Sequence, residues 1–267
     1  MPIFEGSRSK IARAKDHLQE LELNFQGFSD SKPYKLKQEH DSETEEYILV
    51  YYPIGAIPSN WSVIIGEFFY HLRSALDLAI YELTVSKNGA SLKGTEFPVF
   101  EDKSLFSERK NNGQPTNKSG LYKIRGLGQK TIDCIEALQP YNVRQEGQEP
   151  ILSLLHEMNI IDKHRELHLC RRMALSTKLM AVRDIPDFVS WGLEIGENLD
   201  DRAVIARLKL ARKLDDTVYI DANVVIDIAF DQRSSSFFKK QERVITVMES
   251  MIAGVEKILS LLEDSLN

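Results

Sequence analysis

Cysteine is nearly missing from this chain. Cys134 and Cys170 are the whole supply, and neither belongs to a C-x-x-C pair, which removes zinc-ribbon and dithiol redox chemistry. Both thiols fall in amphipathic stretches, the setting of a reduced, buried cysteine. Long apolar runs are missing too. No stretch reaches the roughly 20 consecutive apolar residues of a membrane span. The opening "MPIFEGSRSKIARAKDHLQEL" lacks the apolar core of a secretory leader. The expected setting is cytoplasmic, with no membrane partner. A glycine-rich phosphate loop is also absent: "GLGQKT" at 126–131 has the wrong spacing and no convincing strand before it. There is no G-x-S-x-G elbow. "HEMNI" at 156–160 begins like a zinc-protease helix, but Ile160 stands where the second histidine belongs. His164 and His168 are four apart and no third ligand has matching spacing, so no metal and no cofactor are expected. Internal repeats are lacking as well.

What is present is an ordinary globular composition, with 42% hydrophobic and 28% charged residues in 267. Such a chain is long enough to bury a sizeable core. The net charge of −6 repels nucleic acid and anionic surfaces on average, but it is unevenly spread. Residues 103–130 carry seven Lys/Arg against one acid, and 163–183 carry six against one. These two segments are the candidate nucleic-acid contacts. The plain alternative is that loops and strand edges carry cations for solubility.

Hydrophobic periodicity predicts a helix over 7–25, stopped by Gly27. Weak alternation in "YKLKQEH" and "EEYILVYY" predicts an N-terminal β-hairpin around an acidic turn. The strongest signal is "WSVIIGEFFYHLRSALDLAIYELTVSK". Its apolar stripe is wide enough for a central helix, about 60–87, covered on more than one side. A loop-rich region follows, with "TEFPVF" as an extended piece and a mobile loop at about 107–120. Further helices are expected at about 129–139, 150–166 and 238–264. Between the last two the period changes from helical to alternating, predicting a β-rich insertion at about 168–232 with an antiparallel sheet from about 168–231. The expected fold class is therefore α+β, one domain over 1–267 with a helical core.

Two polar constellations interrupt this pattern. Arg73 and Asp77 lie four apart on one face of the central helix, inside a strongly apolar segment. The plain reading is a local ion pair. The functional reading is that both line a cleft, where an arginine keeps its charge and offers a rigid donor fork to phosphate or carboxylate. The second constellation is "NIIDKHR" at 159–165. Lys163, His164 and Arg165 suit a helix C-terminus, where cations complement the dipole. Asn159 and Asp162 disfavour helix interiors and need a specific partner; Arg73 is the candidate.

The pieces "HLRSALDLAIYEL", "FPVF", "IEALQPY" and "LLHEMNIIDKHR", in order over residues 60–170, resemble a family of uncharacterised bacterial proteins with the pattern Leu-Arg-(Ser/Asn)-x-Leu-Asp-His, Phe-Pro-(Ile/Val), Gln-Pro-Tyr and Asn-x-x-Asp-Lys-His-Arg. The first piece also resembles the Arg-x4-His signature of HEPN-type helical domains, many of them metal-independent ribonucleases of toxin and defence systems that work as dimers. That resemblance implies phosphate binding by Arg73, but Leu78 occupies the position of the histidine. Two expectations follow. In one, the chain is a non-catalytic interaction or regulatory module, with a protein partner or a second copy, whose polar cluster serves the fold. In the other, it is a HEPN-like nucleic-acid-binding protein or ribonuclease, with Arg73 and His164 catalytic and Asp77, Asn159, Asp162, Lys163 and Arg165 binding. His164 then supplies the acid or base, since its intrinsic pKa lies near neutrality.

Overall fold

The computed structural model describes residues 3–143, 150–164, 167–174, 178–181, 188–193, 198–213, 220–235, 237–238 and 240–266. The chain runs α1 (Glu5–Asp30), β1 (Tyr34–Asp41), β2 (Glu46–Pro53), α2 (Asn60–Asn88), α3 (Lys103–Phe106), α4 (Gly120–Lys123), α5 (Gln129–Ala137), α6 (Pro140–Val143), α7 (Ile151–His164), β3 (Leu169–Met173), β4 (Lys178–Ala181), β5 (Phe188–Leu193), β6 (Ala203–Leu210), β7 (Ile220–Asn223), β8 (Ile226–Phe230), β9 (Glu242–Arg243) and α8 (Val244–Asp264). The architecture is α+β, with helices gathered on α2 and antiparallel strands beside them.

α2 takes the central place because it is apolar on nearly every side. Ile65, Phe68, Phe69, Leu72, Leu76 and Ile80 are all fully buried. It stops at Gly89, whose φ of 73° is the left-handed conformation glycine adopts freely, and whose N–H bonds to the Val85 carbonyl at 2.8 Å. α1 lies antiparallel on it, tied at both ends. The Gly6 N–H and the Ser7 hydroxyl both donate to the Glu82 carboxylate at 2.8 Å. At the far end, Phe25 and Phe28 pack on Trp61 with ring centroids 4.8 and 5.4 Å apart. That packing corrects the expected stop at Gly27. The helix runs on to Asp30 because Phe28 and Ser29 face the core, and the chain leaves it only at Lys32 (φ 49°) and Pro33.

The hairpin β1–β2 forms as expected, with the Asp41 carboxylate accepting from the Glu43 N–H in the turn at 2.9 Å. The later strands do not make one sheet of their own. β6 and β5 extend the hairpin in the order β1-β2-β6-β5, β3-β8-β9 is a second sheet, and β4-β7 is a separate pair. The alternating stretch "VYIDANVVIDIAF" divides into β7 and β8 at Val224–Val225, where the Tyr34 hydroxyl accepts from the Val224 N–H at 3.2 Å; its first residues lie outside the described ones. The last helix starts at Val244 instead of 238, because Glu242 and Arg243 pair with β8. The segment expected to be a mobile loop folds back on itself. Lys110 N–H bonds to Gln114 O at 2.8 Å, Thr116 N–H to Glu108 O at 3.1 Å, and the Arg109 guanidinium to Gly113 O at 2.9 Å.

α7 lies antiparallel to α2. Gly66 is level with Asp162, and the Ser62 hydroxyl donates to the Leu167 carbonyl at 3.0 Å. The two polar constellations thus sit on neighbouring helices.

Candidate functional site

Arg73 and Asp77 meet across one helical turn, with Nη2 2.8 Å from Oδ1. They also hold a third party. The same Nη2 donates to the Phe97 carbonyl at 2.6 Å, and the Phe97 N–H donates to Asp77 Oδ1 at 2.9 Å. Both backbone groups of Phe97 are therefore bonded by a single turn of α2. Three residues further on, Gln139 repeats the arrangement from the end of α5. Its Oε1 accepts from the Phe100 N–H, and its Nε2 donates to the Pro98 and Ile135 carbonyls, each at 3.0 Å. Below them the Ser153 hydroxyl of α7 donates to the Glu101 carboxylate. An extended segment carries backbone polar groups that need partners once buried, and "FPVF" finds its partners in these side chains. Phe97 is fully buried, and Phe100 and Tyr141 contact the ring of Phe106 edge-on.

Three of the four motif pieces, "LRSALD", "FPVF" and "QPY", thus converge on one chain segment. Replacing Gln139 by leucine tests it. The volume is nearly kept, but a buried N–H and two carbonyls lose their partner. Lost buried hydrogen bonds cost about 1–3 kcal/mol each when a group is left unsatisfied. Because carbonyls tolerate this better than amides, a total loss of about 2 kcal/mol is expected, read from urea midpoints at constant slope.

The fourth piece is placed differently from the expectation. Asn159 is buried, yet its Oδ1 has no hydrogen-bond partner, and neither does Arg73 Nη1. The expected Arg73–Asn159 bond is not made, because the guanidinium reaches along α2 toward Asp77 instead. Asp162 rests on Gly66, seven residues or about 10 Å of helix from Arg73. The side chains of Lys163 and His164, and Arg165 entirely, lie outside the described residues.

Charge around Phe97 is balanced by residues that pattern reading overlooked. Glu96 and Lys123 form an ion pair at 2.6 Å. Burial pushes the Glu96 carboxyl up, but the Lys123 hydrogen bond and charge, with Arg73 and His156 behind them, outweigh it and hold the carboxyl below the usual range. For Asp77 the balance goes the other way. Burial raises its pKa, and Arg73 and the Phe97 N–H offset only part of that. The clue to Glu96 was its place directly before "FPVF". Nothing local pointed to Lys123, whose partner lies 27 residues away.

Several arginines of the basic segments are engaged within the fold. Arg125 donates to the Tyr122 and Lys93 carbonyls and lies 3.7 Å over the Tyr122 ring. Arg171 is buried, donates to the Gly55 carbonyl at 2.8 Å and faces Asp200 at 3.6 Å. Arg172 donates to the Gln241 carbonyl at 3.1 Å. Among the described residues, no group of three or more His, Cys, Asp or Glu is arranged to hold a metal ion. Among them, too, no helix is long and apolar enough to cross a membrane. Surface grooves run between α1 and α8 at Ile11, Lys15 and Glu256, and beside the α1 N-terminus at Phe4, Tyr81 and Val85. Neither is lined by Arg73, Asp77 or Asn159. Compared with protein-family models, with curated proteins and with solved structures, the chain matches none.

Proposed function

We propose that this chain is a non-catalytic interaction module, and that Arg73, Asp77 and the 159–165 cluster serve its fold. The observation that carries this reading is the pair of hydrogen bonds that Arg73 Nη2 donates to Asp77 and to the Phe97 carbonyl. Nη2 is thereby taken by the chain itself, and Nη1, though without a partner, is buried away from a phosphate in solvent. Leu78, half-buried, cannot transfer a proton in the place of a histidine. The internal engagement of Arg125, Arg171 and Arg172 also takes cations away from a nucleic-acid surface. α2 and α7 also leave large apolar side chains exposed. Val63, Tyr70 and Tyr81 on α2, and Ile160 on α7, are 59, 47, 47 and 43% exposed, and aromatic side chains of this kind supply much of the energy at protein interfaces. A cytoplasmic setting goes with this reading, since Cys134 and Cys170 are both unpaired.

The test is incubation of the wild-type chain and of His164→Ala with mixed RNA, with and without a chelator. The expected result is intact RNA in every arm. Chelator-resistant cleavage by wild type that His164→Ala abolishes would overturn the proposal in favour of a HEPN-like ribonuclease.

A further inference from the structure

His17 and His71 form a cluster with no role in the network above. His17, on α1, is 2% exposed, and neither of its ring nitrogens has a hydrogen-bond partner. His71, on α2, stacks on it with ring centroids 5.5 Å apart and planes 19° apart, and its Nδ1 is also without a partner. Two imidazoles packed face to face, with three of their nitrogens lacking hydrogen-bond partners, favour neutral rings at this interface. A proton on His17 would place a cation in a buried contact beside a second, partly exposed ionisable ring, with no acceptor at hydrogen-bond distance.

We propose that the His17–His71 stack is a proton-operated latch between α1 and α2, closed when both rings are neutral and loosened when they take up protons. The surrounding groups favour this direction. On α1, Lys10 and Arg13 add positive charge near the rings, and Lys10 lies 5.6 Å over the ring of Tyr70, which itself meets His71 edge-on. The opposing carboxylates are Asp16 and Glu20 on α1 and Glu67 on α2. Glu20 and Glu67 stand 3.9 and 3.6 Å from the His17 nitrogens, beyond hydrogen-bond distance, and both are about half-exposed, so solvent screens them. α8 also packs on α1 but brings Glu256 to Lys15. β8 meets α1 near Ser29, about 18 Å along the helix from the rings. Burial accordingly lowers the affinity of both rings for a proton, with Arg13 reinforcing it at His17 and Lys10 at His71.

The sign follows from linkage. The unfolded chain, with histidines near pKa 6.5, binds protons that the closed latch refuses, so acid favours opening. The stability held by the latch is complete above about pH 6.5 and is lost as pH falls below it, by up to about tenfold in the opening equilibrium per pH unit and per histidine. Urea unfolding of wild type and of the double variant His17→Leu/His71→Leu, from pH 8 to pH 5, tests this. The wild type should lose stability steeply below pH 6.5, and the double variant should lose distinctly less. Parallel curves would overturn the latch. NMR titration of the folded wild type is the second readout and does not depend on the variant folding. Both rings should titrate below 6.5, with amides of α1 exchanging faster once they do. A His17 ring titrating at or above 6.5, or α1 amides that stay protected, overturns the proposal.

Discussion

Replacing Arg73 by alanine is expected to destabilise the fold by about 3 kcal/mol, close to the cost of breaking a buried ion pair by removing one partner. Arg73 is only 11% exposed, and its loss leaves the Phe97 carbonyl without its donor and Asp77 without its counter-charge. The figure is set at the low end because the Asp77 side chain is 37% exposed and water can reach part of it. The pH dependence separates charge from packing. Asp77 already holds its proton more tightly than an ordinary aspartate, because burial outweighs Arg73. Without the guanidinium its folded pKa rises further, so the variant takes up a proton earlier as pH falls and is relieved of the buried charge. The difference between wild type and variant should be greatest at neutral pH and shrink as acid protonates the variant's Asp77 before the wild type's. Arg73→Met, which keeps much of the apolar stem, should show the same trend. Thermal or urea unfolding at several pH values checks it, and a difference that grows as pH falls contradicts the Asp77 account.

Gly66→Val is expected to cost still more, about 4 kcal/mol, as overpacking adds to a displaced polar contact. A Cβ at Gly66 would lie 1.6 Å from Asp162 Oδ1 and 2.3 Å from its Cγ. An aspartate stem is too short to swing clear, so α7 must shift or the carboxylate must abandon its bonds. The alanine variant gives a sharper result because two effects oppose each other. Alanine in a helix interior gains about 1 kcal/mol over glycine, yet Gly66→Ala should destabilise. Adding Asp162→Ala to it should restore stability to the wild-type level or above, with a coupling of at least about 1 kcal/mol. A stabilising Gly66→Ala single variant would mean that Asp162 is not locked against α2.

Several parts of this architecture were open to reading from residues alone, and the reason is local in each case. Periodicity puts the central helix at about 60–87 and it spans Asn60–Asn88, because a continuous apolar stripe ending at glycine admits one local answer. The hairpin followed from alternation around an acidic turn. The Arg73–Asp77 pair is an i,i+4 contact and needs only helical geometry. The errors were also physical. Gly27 looked like a stop by propensity, but burial of Phe28 and Ser29 outweighs the roughly 1 kcal/mol that glycine costs inside a helix. Alternation marks the later strands as antiparallel strands, and β6 and β5 do extend the hairpin, but a period of two does not name each strand's neighbour, so the division into further sheets is a tertiary outcome.

Residue patterns alone set the α+β class, the central helix and the identity of the polar residues that break its apolar surface. What those residues bond to was decided only by tertiary structure. Arg73 and Asp77 close on backbone 24 and 20 residues away, Gln139 reaches back about 40, and Asp162 settles on a glycine 96 residues earlier. Patterns along a chain report which side chains share a face. They carry no information about which distant backbone groups will be left bare when two faces meet, and at Phe97 that need set the role of the most conspicuous charges in the chain.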